Sequence, residues 1–298
     1  MNFNEELKVK VDMINNIIKE YLPKEEGMQQ RVIEAANYSV EAGGKRIRPL
    51  IMLETYRLFG GKDEKIVYPF MCALECIHSY SLVHDDLPAM DNDDYRRGKL
   101  TTHKKYGEDF GVLAGDALLN YAYELMFNSM LTIDNPDLLK NCVKTAQVIA
   151  KKAGIYGMVG GQSLDVWLTD KPMNESELEF IFNLKTGALI EGAFMAGAIL
   201  AGADNSAILD IERAGNMVGV AFQIQDDILD VTSTQEMLGK PVFSDEKNNK
   251  TTYVTLYGMD KAKEDVRTLS ENGIDIIKKY GDNDFLVSLV LKLINREK

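Results

Sequence analysis

The chain has 298 residues and 45% hydrophobic content, enough to bury a large core in one big domain or in two ordinary ones. Its formal net charge of −12 argues against binding to nucleic acid or to an anionic membrane, because both attract basic surfaces. Its three cysteines are too few for a disulfide framework, and an odd number cannot all be paired within one chain. Cys72 and Cys76 are therefore interpreted as buried thiols rather than zinc ligands.

Helical periodicity extends from one end of the chain to the other. Leu7, Val11, Ile14 and Ile18 recur at the spacing of one helix face, and Pro23 ends that first helix. The charged N-terminal stretch has no signal-peptide core, which predicts a cytoplasmic protein. The predicted helices span 3–21, 28–41, 48–59, 63–86, 109–130, 137–153, 157–167, 174–200, 204–231, 259–280 and 282–295.

The sequence favours one all-α domain over residues 1–298. No segment alternates apolar and polar residues as a half-buried strand does, and no Gly/Ser-rich linker divides the chain. The stretch 187–203 is rich in Gly and Ala and carries Glu191, which predicts a closely packed core helix rather than a membrane span. The polar stretch 234–253 is predicted to be a loop. We therefore expect a single-domain bundle of long helices.

An acidic motif follows a long apolar helix. Residues 78–98 read HSYSLVHDDLPAMDNDDYRRG, and Asp85, Asp86 and Asp91 lie there with two more carboxylates. Like charges so close together repel one another unless a cation lies among them. A solvated acidic loop is the simplest interpretation, but the apolar helix before the motif and the two arginines after it favour a functional site. Pro88 is expected to bend the chain between the aspartates.

A second acidic motif, FQIQDDILD, lies far along the chain. Asp226 and Asp230 share one helix face, with Gln223 one turn earlier, and the residues around them are apolar. Carboxylates on a buried helix are costly unless they are paired or bind a cation. Two such helices facing each other would form an oxygen-rich cage. That cage suits Mg²⁺, which binds through a few carboxylates and substrate phosphates.

Basic side chains near both motifs are candidates for binding phosphate. Lys45 and Arg48 lie three apart in GGKRIRP and are placed to clamp one diphosphate, although a surface turn fits the same sequence. Arg96 and Arg97 follow the first motif and are placed to serve two different phosphates. Lys185 interrupts an apolar helix, where it either meets a ligand or extends its ammonium group to water.

Two further residues have less specific signals. His78 lies seven residues before Asp85, nearly on the same helix face, so a core histidine and a functional histidine are equally good interpretations. Lys240 lies shortly after the second acidic motif, within reach of its metal cage. The pair Gly160–Gly161 is expected to let two helices approach closely.

Taken together, the motifs resemble those of the trans-isoprenyl diphosphate synthases, and among them the bacterial farnesyl diphosphate synthases. The resemblance covers essentially the whole chain and keeps the family's order. It implies an all-helical homodimer in which long helices surround a central active-site cavity, the isoprenoid synthase fold. The matching segments are GGKRIRP (43–49), ECIHSYSLVHDDLPAMDNDDYRRG (75–98), GGQSLD (160–165), KTGAL (185–189), FQIQDDILD (222–230) and LGK (238–240).

The resemblance implies a role for each matching residue. Three Mg²⁺ ions, with substrate bound, would be held by five carboxylates: Asp85, Asp86, Asp91, Asp226 and Asp230. The allylic diphosphate would also contact three cationic side chains: Arg96, Lys185 and Lys240. Isopentenyl diphosphate would bind a separate basic group: Lys45, Arg48, His78 and Arg97. The reacting centre would be lined by Thr186 and Gln223. The implied reaction couples isopentenyl diphosphate to dimethylallyl or geranyl diphosphate through an allylic carbocation.

The product length is predicted from one side chain. Tyr80 lies five residues before Asp85, about 7.5 Å along a helix, where its ring would stop a growing prenyl tail. An aromatic at this position, and four residues between the aspartates of the first motif, resemble the farnesyl-producing bacterial enzymes. Tyr80 as an ordinary core residue is the alternative. Phe243 departs from the glycine of many relatives and is expected to alter the loop that carries Lys240.

Four other functions are considered. A geranyl or geranylgeranyl diphosphate synthase would have the same fold. A terpene cyclase would not need the basic residues that bind isopentenyl diphosphate, Lys45, Arg48 and Arg97. His84–Asp85 also resembles the core of an HD-type phosphohydrolase, but the only other histidines are His78 and His103. An inactive subunit of a heteromeric synthase would be expected to lose aspartates that are intact here.

Overall fold

The computed structural model describes residues 2–232 and 251–294, and within those ranges the fold is almost entirely helical. A 3₁₀ turn spans Glu64–Ile66, and a π-helical segment spans Phe182–Gly187. The α-helices are α1 (Phe3–Tyr21), α2 (Gln30–Val40), α3 (Ile47–Leu58), α4 (Tyr68–Asp85), α5 (Thr102–Tyr106), α6 (Glu108–Met130), α7 (Pro136–Ala153), α8 (Met158–Trp167), α9 (Glu175–Ile181), α10 (Ala188–Leu200), α11 (Asn205–Thr232), α12 (Tyr253–Tyr257), α13 (Met259–Lys278) and α14 (Asp284–Ile294).

Two central helices, α4 and α10, organise the core. Every residue of α10 is buried, as its Gly/Ala-rich sequence predicted, and the helix packs against α3, α7 and α11. Gly197 allows the closest of these approaches, since a Cβ there would lie 2.3 Å from the backbone oxygen of Met52. Helix α4 packs against α6 and buries Phe70, Met71 and Ile77 completely. The two helices meet in one continuous hydrophobic core, which fits the predicted bundle.

The segment Glu64–Asp85 is long and apolar enough to cross a membrane by composition alone. Of its most apolar window, 72% is buried inside the fold. Its hydrophobicity is therefore accounted for by its place at the centre of the core.

A small hairpin corrects the expectation that the chain has no strands. β1 (Tyr95–Arg96) pairs antiparallel with β2 (Lys99–Leu100). The connecting residues Arg97 and Gly98 have φ values of 54° and 75°. Positive φ at both central positions is the geometry of a tight two-residue hairpin turn. Strands of two residues are too short to produce an alternating pattern in the sequence.

The prediction of one continuous helix over 174–200 is also wrong in detail. It divides into α9, the π-helical segment and α10, because the chain gains an extra residue per turn where it packs against α8 and α11. Part of the predicted loop 234–253 lies outside the described residues, and Tyr253 begins α12.

Candidate active site

The first acidic motif bends sharply after α4, as Pro88 predicted. The helix ends at Asp85, and the backbone N–H of Asp91 donates to the carbonyl oxygen of Asp85 at 2.8 Å. The turn brings both aspartates to the same end of α4. The pKa of Asp85 is raised to about 6, chiefly by burial; Lys185 opposes the shift and the nearby Asp91 adds to it. A carboxyl group in this situation gains from a cation, because a cation stabilises its ionised form.

Asp86 has a different environment from its neighbour. It is 3% exposed, and Arg96 Nε donates to its two carboxylate oxygens at 2.7 and 2.9 Å. Arg96 Nη2 lies 2.5 Å from Asp86 Oδ1. Asp86 is thus held by an arginine, and its role as a metal ligand stays a prediction.

A basic cavity of about 650 Å³ lies beside the motif. It contains all four residues predicted to bind isopentenyl diphosphate, together with residues from both acidic motifs. The cavity is lined by Ala42, Gly44, Lys45, Arg46, Ile47, Arg48, Glu75, His78, Leu82, Arg96, Arg97, Thr186, Ile190, Phe222, Gln223 and Asp226.

Two of these basic-cavity residues have strongly perturbed pKa values. Burial lowers the pKa of Arg48 to about 10, and the Nε of Arg48 is buried without a hydrogen-bond partner. Burial lowers the pKa of His78 well below its usual range, and Arg48 and Arg97 lower it further, so the imidazole is neutral. Arg48 has an unpaired donor and lies near Arg97, so a bound anion would accept a hydrogen bond from Arg48 and offset the positive charge of both side chains.

Gly44 explains how Arg97 reaches this cavity. A Cβ on Gly44 would lie 2.7 Å from Arg97 Nη1, and the same nitrogen donates to the carbonyl oxygen of Gly43. Arg96 and Arg97 make different contacts, since Arg96 binds Asp86 and Arg97 contacts the glycine loop before α3, while both line the basic cavity. That they serve two different phosphates stays a prediction.

An acidic cavity of about 180 Å³ adjoins the π-helical segment. Lys185 Nζ donates to Asp165 Oδ2 at 2.5 Å, and Thr186 Oγ1 donates to Gln223 Oε1 at 2.8 Å. The carboxylates around this cavity come from α8 and α11. The cage predicted between the two acidic motifs stays a prediction, because none of the three aspartates of the first motif lines this cavity. Its acidic residues are Asp165, Asp226, Asp227 and Asp230.

An apolar cavity of about 270 Å³ lies below the acidic end of α4. Tyr80, Met158 and Leu189 line it, and Asp85 and Lys185 line it as well. The Tyr80 ring is 6% exposed and meets the His84 ring edge to face, with ring centroids 5.8 Å apart. The position of Tyr80 in this cavity agrees with its predicted role.

The sequence assigned no role to Gln162 and Asp165, and it did not single out Asp227. Gln162 Nε2 donates to Asp85 Oδ1 at 2.7 Å, and Asp165 pairs with Lys185. Their i, i+3 spacing on α8 was the available signal. Asp227 accepts from the Tyr253 N–H at 2.7 Å, a role that the i, i+4 spacing of Asp226 and Asp230 does not indicate.

The close approach predicted for Gly160–Gly161 is confirmed. A Cβ on Gly161 would lie 2.2 Å from the backbone nitrogen of Lys185. Lys240 and Phe243 lie outside the described residues, so their predictions remain untested.

The carboxylates of the site fit Mg²⁺ only together with substrate phosphates. Among residues 2–232 and 251–294, no three acidic, histidine or cysteine side chains converge closely enough to hold an ion alone. Carboxylates from α4 and α11 nonetheless line adjoining cavities. Such a set fits Mg²⁺, which takes one or two carboxylates and completes its shell with substrate phosphates and water.

The all-α fold and the three adjoining cavities fit the isoprenoid synthase fold, and the similarities that follow make the chain a trans-prenyltransferase. A family model described as polyprenyl synthetase matches residues 29–284. The chain belongs to the polyprenyl synthetase family. The predicted fold class, family and reaction class are thereby confirmed.

Curated relatives are similar over nearly the whole chain. The farnesyl diphosphate synthase of Micrococcus luteus is 43% identical over 295 residues, which cover 99% of each chain. That of Geobacillus stearothermophilus is 44% identical and covers 84% of this chain and 83% of the relative. The geranylgeranyl diphosphate synthase of Cyanophora paradoxa is 40% identical and covers 96% and 93%.

Solved structures match the fold equally well. An FPP/GFPP synthase from Zymomonas mobilis superposes with a TM-score of 0.86 at 32% identity, covering 98% of this chain and 99% of the other. A geranyltransferase from Legionella pneumophila superposes with a TM-score of 0.84 at 31% identity, covering 99% of each chain.

Proposed function

We propose that this enzyme condenses isopentenyl diphosphate with dimethylallyl or geranyl diphosphate to give (2E,6E)-farnesyl diphosphate and diphosphate. One observation carries the proposal: Thr186 lines all three cavities. With Mg²⁺ between the carboxylates and the phosphates, a substrate with a diphosphate and a prenyl tail can place its charged group beside the acidic cavity and its tail in the apolar cavity. A second diphosphate can occupy the basic cavity beside it.

The proposed binding roles follow from these positions. Arg48, Arg97 and Lys45 line the basic cavity and bind the diphosphate of isopentenyl diphosphate through charge-assisted hydrogen bonds, and the buried Nε of Arg48 gains a partner. His78 contributes as a neutral donor. The allylic diphosphate lies near Lys185, with Arg96 and Lys240 as its further predicted cations. The residues that would hold Mg²⁺ are Asp85, Asp86, Asp91, Asp226 and Asp230, and we propose three ions with substrate bound.

The chemistry needs charge stabilisation rather than a protein nucleophile. Mg²⁺, when bound, supplies positive charge to the departing diphosphate. Lys185 adds a fixed cation where negative charge develops as the carbon–oxygen bond breaks. Thr186 and Gln223 line the space where the double bond of isopentenyl diphosphate attacks the allylic carbon. The apolar cavity excludes water from the carbocation, and the released diphosphate accepts the proton that is lost.

Product length is assigned to Tyr80. Its buried ring lines the apolar cavity five residues before Asp85, which supports a C15 limit. The farnesyl diphosphate synthases among the curated relatives agree with this assignment. The alternative is a C20 product, because a geranylgeranyl diphosphate synthase is among the relatives, at 40% identity.

We also propose that the protein is a cytoplasmic homodimer whose single domain spans 1–298. The outer face of α6 supports a dimer, because Val112, Leu113 and Phe127 are 44%, 50% and 59% exposed there. Size-exclusion chromatography with light scattering tests this, and a monomer would contradict it.

One assay tests the proposed reaction. The purified protein is incubated with Mg²⁺, labelled isopentenyl diphosphate and either dimethylallyl or geranyl diphosphate, and the dephosphorylated products are chromatographed. Farnesol from both substrates, abolished by EDTA, is the expected result. Geranylgeraniol would keep the reaction class and refute the C15 assignment. No elongation by folded protein would support the inactive-subunit hypothesis instead.

A further inference from the structure

Behind the active site, a chain of polar side chains links α7, α10 and α11 to the π-helical segment. Lys152 on α7 donates to Glu191 on α10 and, at 2.8 Å, to Glu212 on α11. Asn216 on α11 donates to Glu191 Oε1 at 2.8 Å and to Asn183 Oδ1 at 2.8 Å. None of the cavities that hold Lys185 and Thr186 is lined by these residues.

The network is anchored by a buried carboxylate. Glu191 is 6% exposed, so its charge is costly unless it is compensated. Lys152 supplies the charge, with its side chain 15% exposed, and Asn216 supplies a further hydrogen bond. Burial would lower the pKa of Lys152, but its hydrogen bonds with Glu191 and Glu212 outweigh burial and raise it. Lys152 therefore remains a cation at neutral pH.

Asn216 spans the segment that carries the two active-site residues. The Nδ2 amide group of Asn216 has two hydrogens, and it bonds Asn183 at the start of the π-helical segment and Glu191 in the first turn of α10. Lys185 and Thr186 lie between those two attachment points. Removing the amide group would remove a hydrogen bond at each end of the segment, and Glu191 would keep its ion pair with Lys152.

Close backbone packing makes the attachment stiff. A Cβ on Gly219 would lie 2.7 Å from the Cα of Gly187, and a Cβ on Gly215 would lie 2.9 Å from the Cα of Glu191. α11 therefore rests directly on the π-helical segment and on the start of α10. A π-helical turn is rare and depends on its tertiary contacts, so these contacts determine its geometry.

We propose that Lys152, Glu191 and Asn216 are positioning residues that hold the π-helical segment so that Lys185 and Thr186 meet the allylic diphosphate. The inference rests on the proposed function. It assigns the network to the allylic site, because Lys185 lines the acidic and apolar cavities but not the basic one. The residues proposed to bind isopentenyl diphosphate come from α3 and the loop before it, from α4 and from the hairpin turn, although Thr186 also lines the basic cavity.

Asn216→Asp tests the proposal, because it keeps the side-chain shape and removes both donors. We expect the KM for geranyl diphosphate to rise about tenfold and kcat to fall about tenfold. The KM for isopentenyl diphosphate should stay within twofold. Hydrogen–deuterium exchange of peptides covering 182–187 should become about tenfold faster in the ligand-free protein, while peptides from α4 are unchanged. Asn205→Asp is the matched control, because Asn205 accepts from the surface residue Lys144 and lies outside the network.

The possible outcomes separate the two proposals. A wild type that does not elongate geranyl diphosphate refutes the proposed function, but the exchange measurement needs no substrate and still decides whether Asn216 holds the segment. Unchanged exchange overturns the inference. So does faster exchange with an unchanged KM for geranyl diphosphate, or a lower Tm alone. Should Asn216→Asp fail to fold, Asn216→Ser, which retains one donor, is measured against the same thresholds.

Discussion

Arg46 and Glu75 form an ion pair inside the protein: Arg46 Nη1 lies 2.6 Å from Glu75 Oε1, and each side chain is 3% exposed. Arg46 also donates to Asn15 and to the backbone oxygen of Val40. It has a φ of 47° just before α3, so it turns inward from the basic loop. The pair thereby fixes the loop that presents its neighbours to the basic cavity.

Glu75→Gln should destabilise the fold strongly, because it leaves the Arg46 charge buried without a counter-ion. We expect the free energy of unfolding to fall by about 3–5 kcal/mol. Urea denaturation measures this. Glu64→Gln is the control, since its pair with Arg57 is about 30% exposed on both sides and should contribute about 0–1 kcal/mol. Equal losses in the two variants would contradict the special role of the buried pair.

Arg48→Met should separate stability from function. The variant removes a buried charge and an unpaired Nε donor, so we expect Tm to stay equal or to rise. The KM for isopentenyl diphosphate should rise tenfold or more, since a hydrogen bond to a charged group contributes about 1.5–3 kcal/mol. Steady-state kinetics and differential scanning fluorimetry measure both effects. A similar rise in the KM for geranyl diphosphate would argue against a site specific to isopentenyl diphosphate.

Tyr80→Ala should lengthen the product beyond C15, because it removes the ring from the apolar cavity. Tyr80→Phe keeps the ring and should still give farnesyl diphosphate. Chromatography of the dephosphorylated products, with the cosubstrate in excess, distinguishes the two. Unchanged C15 output from an active Tyr80→Ala enzyme would refute the role of Tyr80.

The buried thiol of Cys76 should make the free energy of unfolding fall at alkaline pH. Burial raises the pKa of this thiol from 9.0 to about 12. Between these values the unfolded chain releases a proton that the folded chain retains, so rising pH favours unfolding. The stabilisation that comes from the protonated thiol is fully present below pH 9. Above pH 9 it decreases by about 1.4 kcal/mol per pH unit.

Urea denaturation of Cys76→Ala checks this pH dependence. Its stability should fall by about 1 kcal/mol less than that of the wild type between pH 9 and pH 10. The cost of the smaller side chain is the same at every pH and cancels in this difference. Parallel pH profiles for the two proteins would show that the thiol does not contribute.

The local features of the protein were predictable from sequence. Apolar residues at helical spacing predicted the helices, and Pro88 predicted the bend after α4, because both signals arise between neighbours in the chain. The acidic and basic motifs, with their resemblance to the trans-isoprenyl diphosphate synthases, predicted the family that the comparisons confirm.

Only the tertiary structure decided which of these residues meet. Glu75 lies 29 residues from Arg46, and Asn216 lies 33 residues from Asn183, so no local pattern could pair them. The capture of Asp86 by Arg96 likewise depends on the hairpin that folds back over α4. Burial makes each unpaired charge or donor costly, and the folded chain therefore selects partners that its spacing alone does not specify.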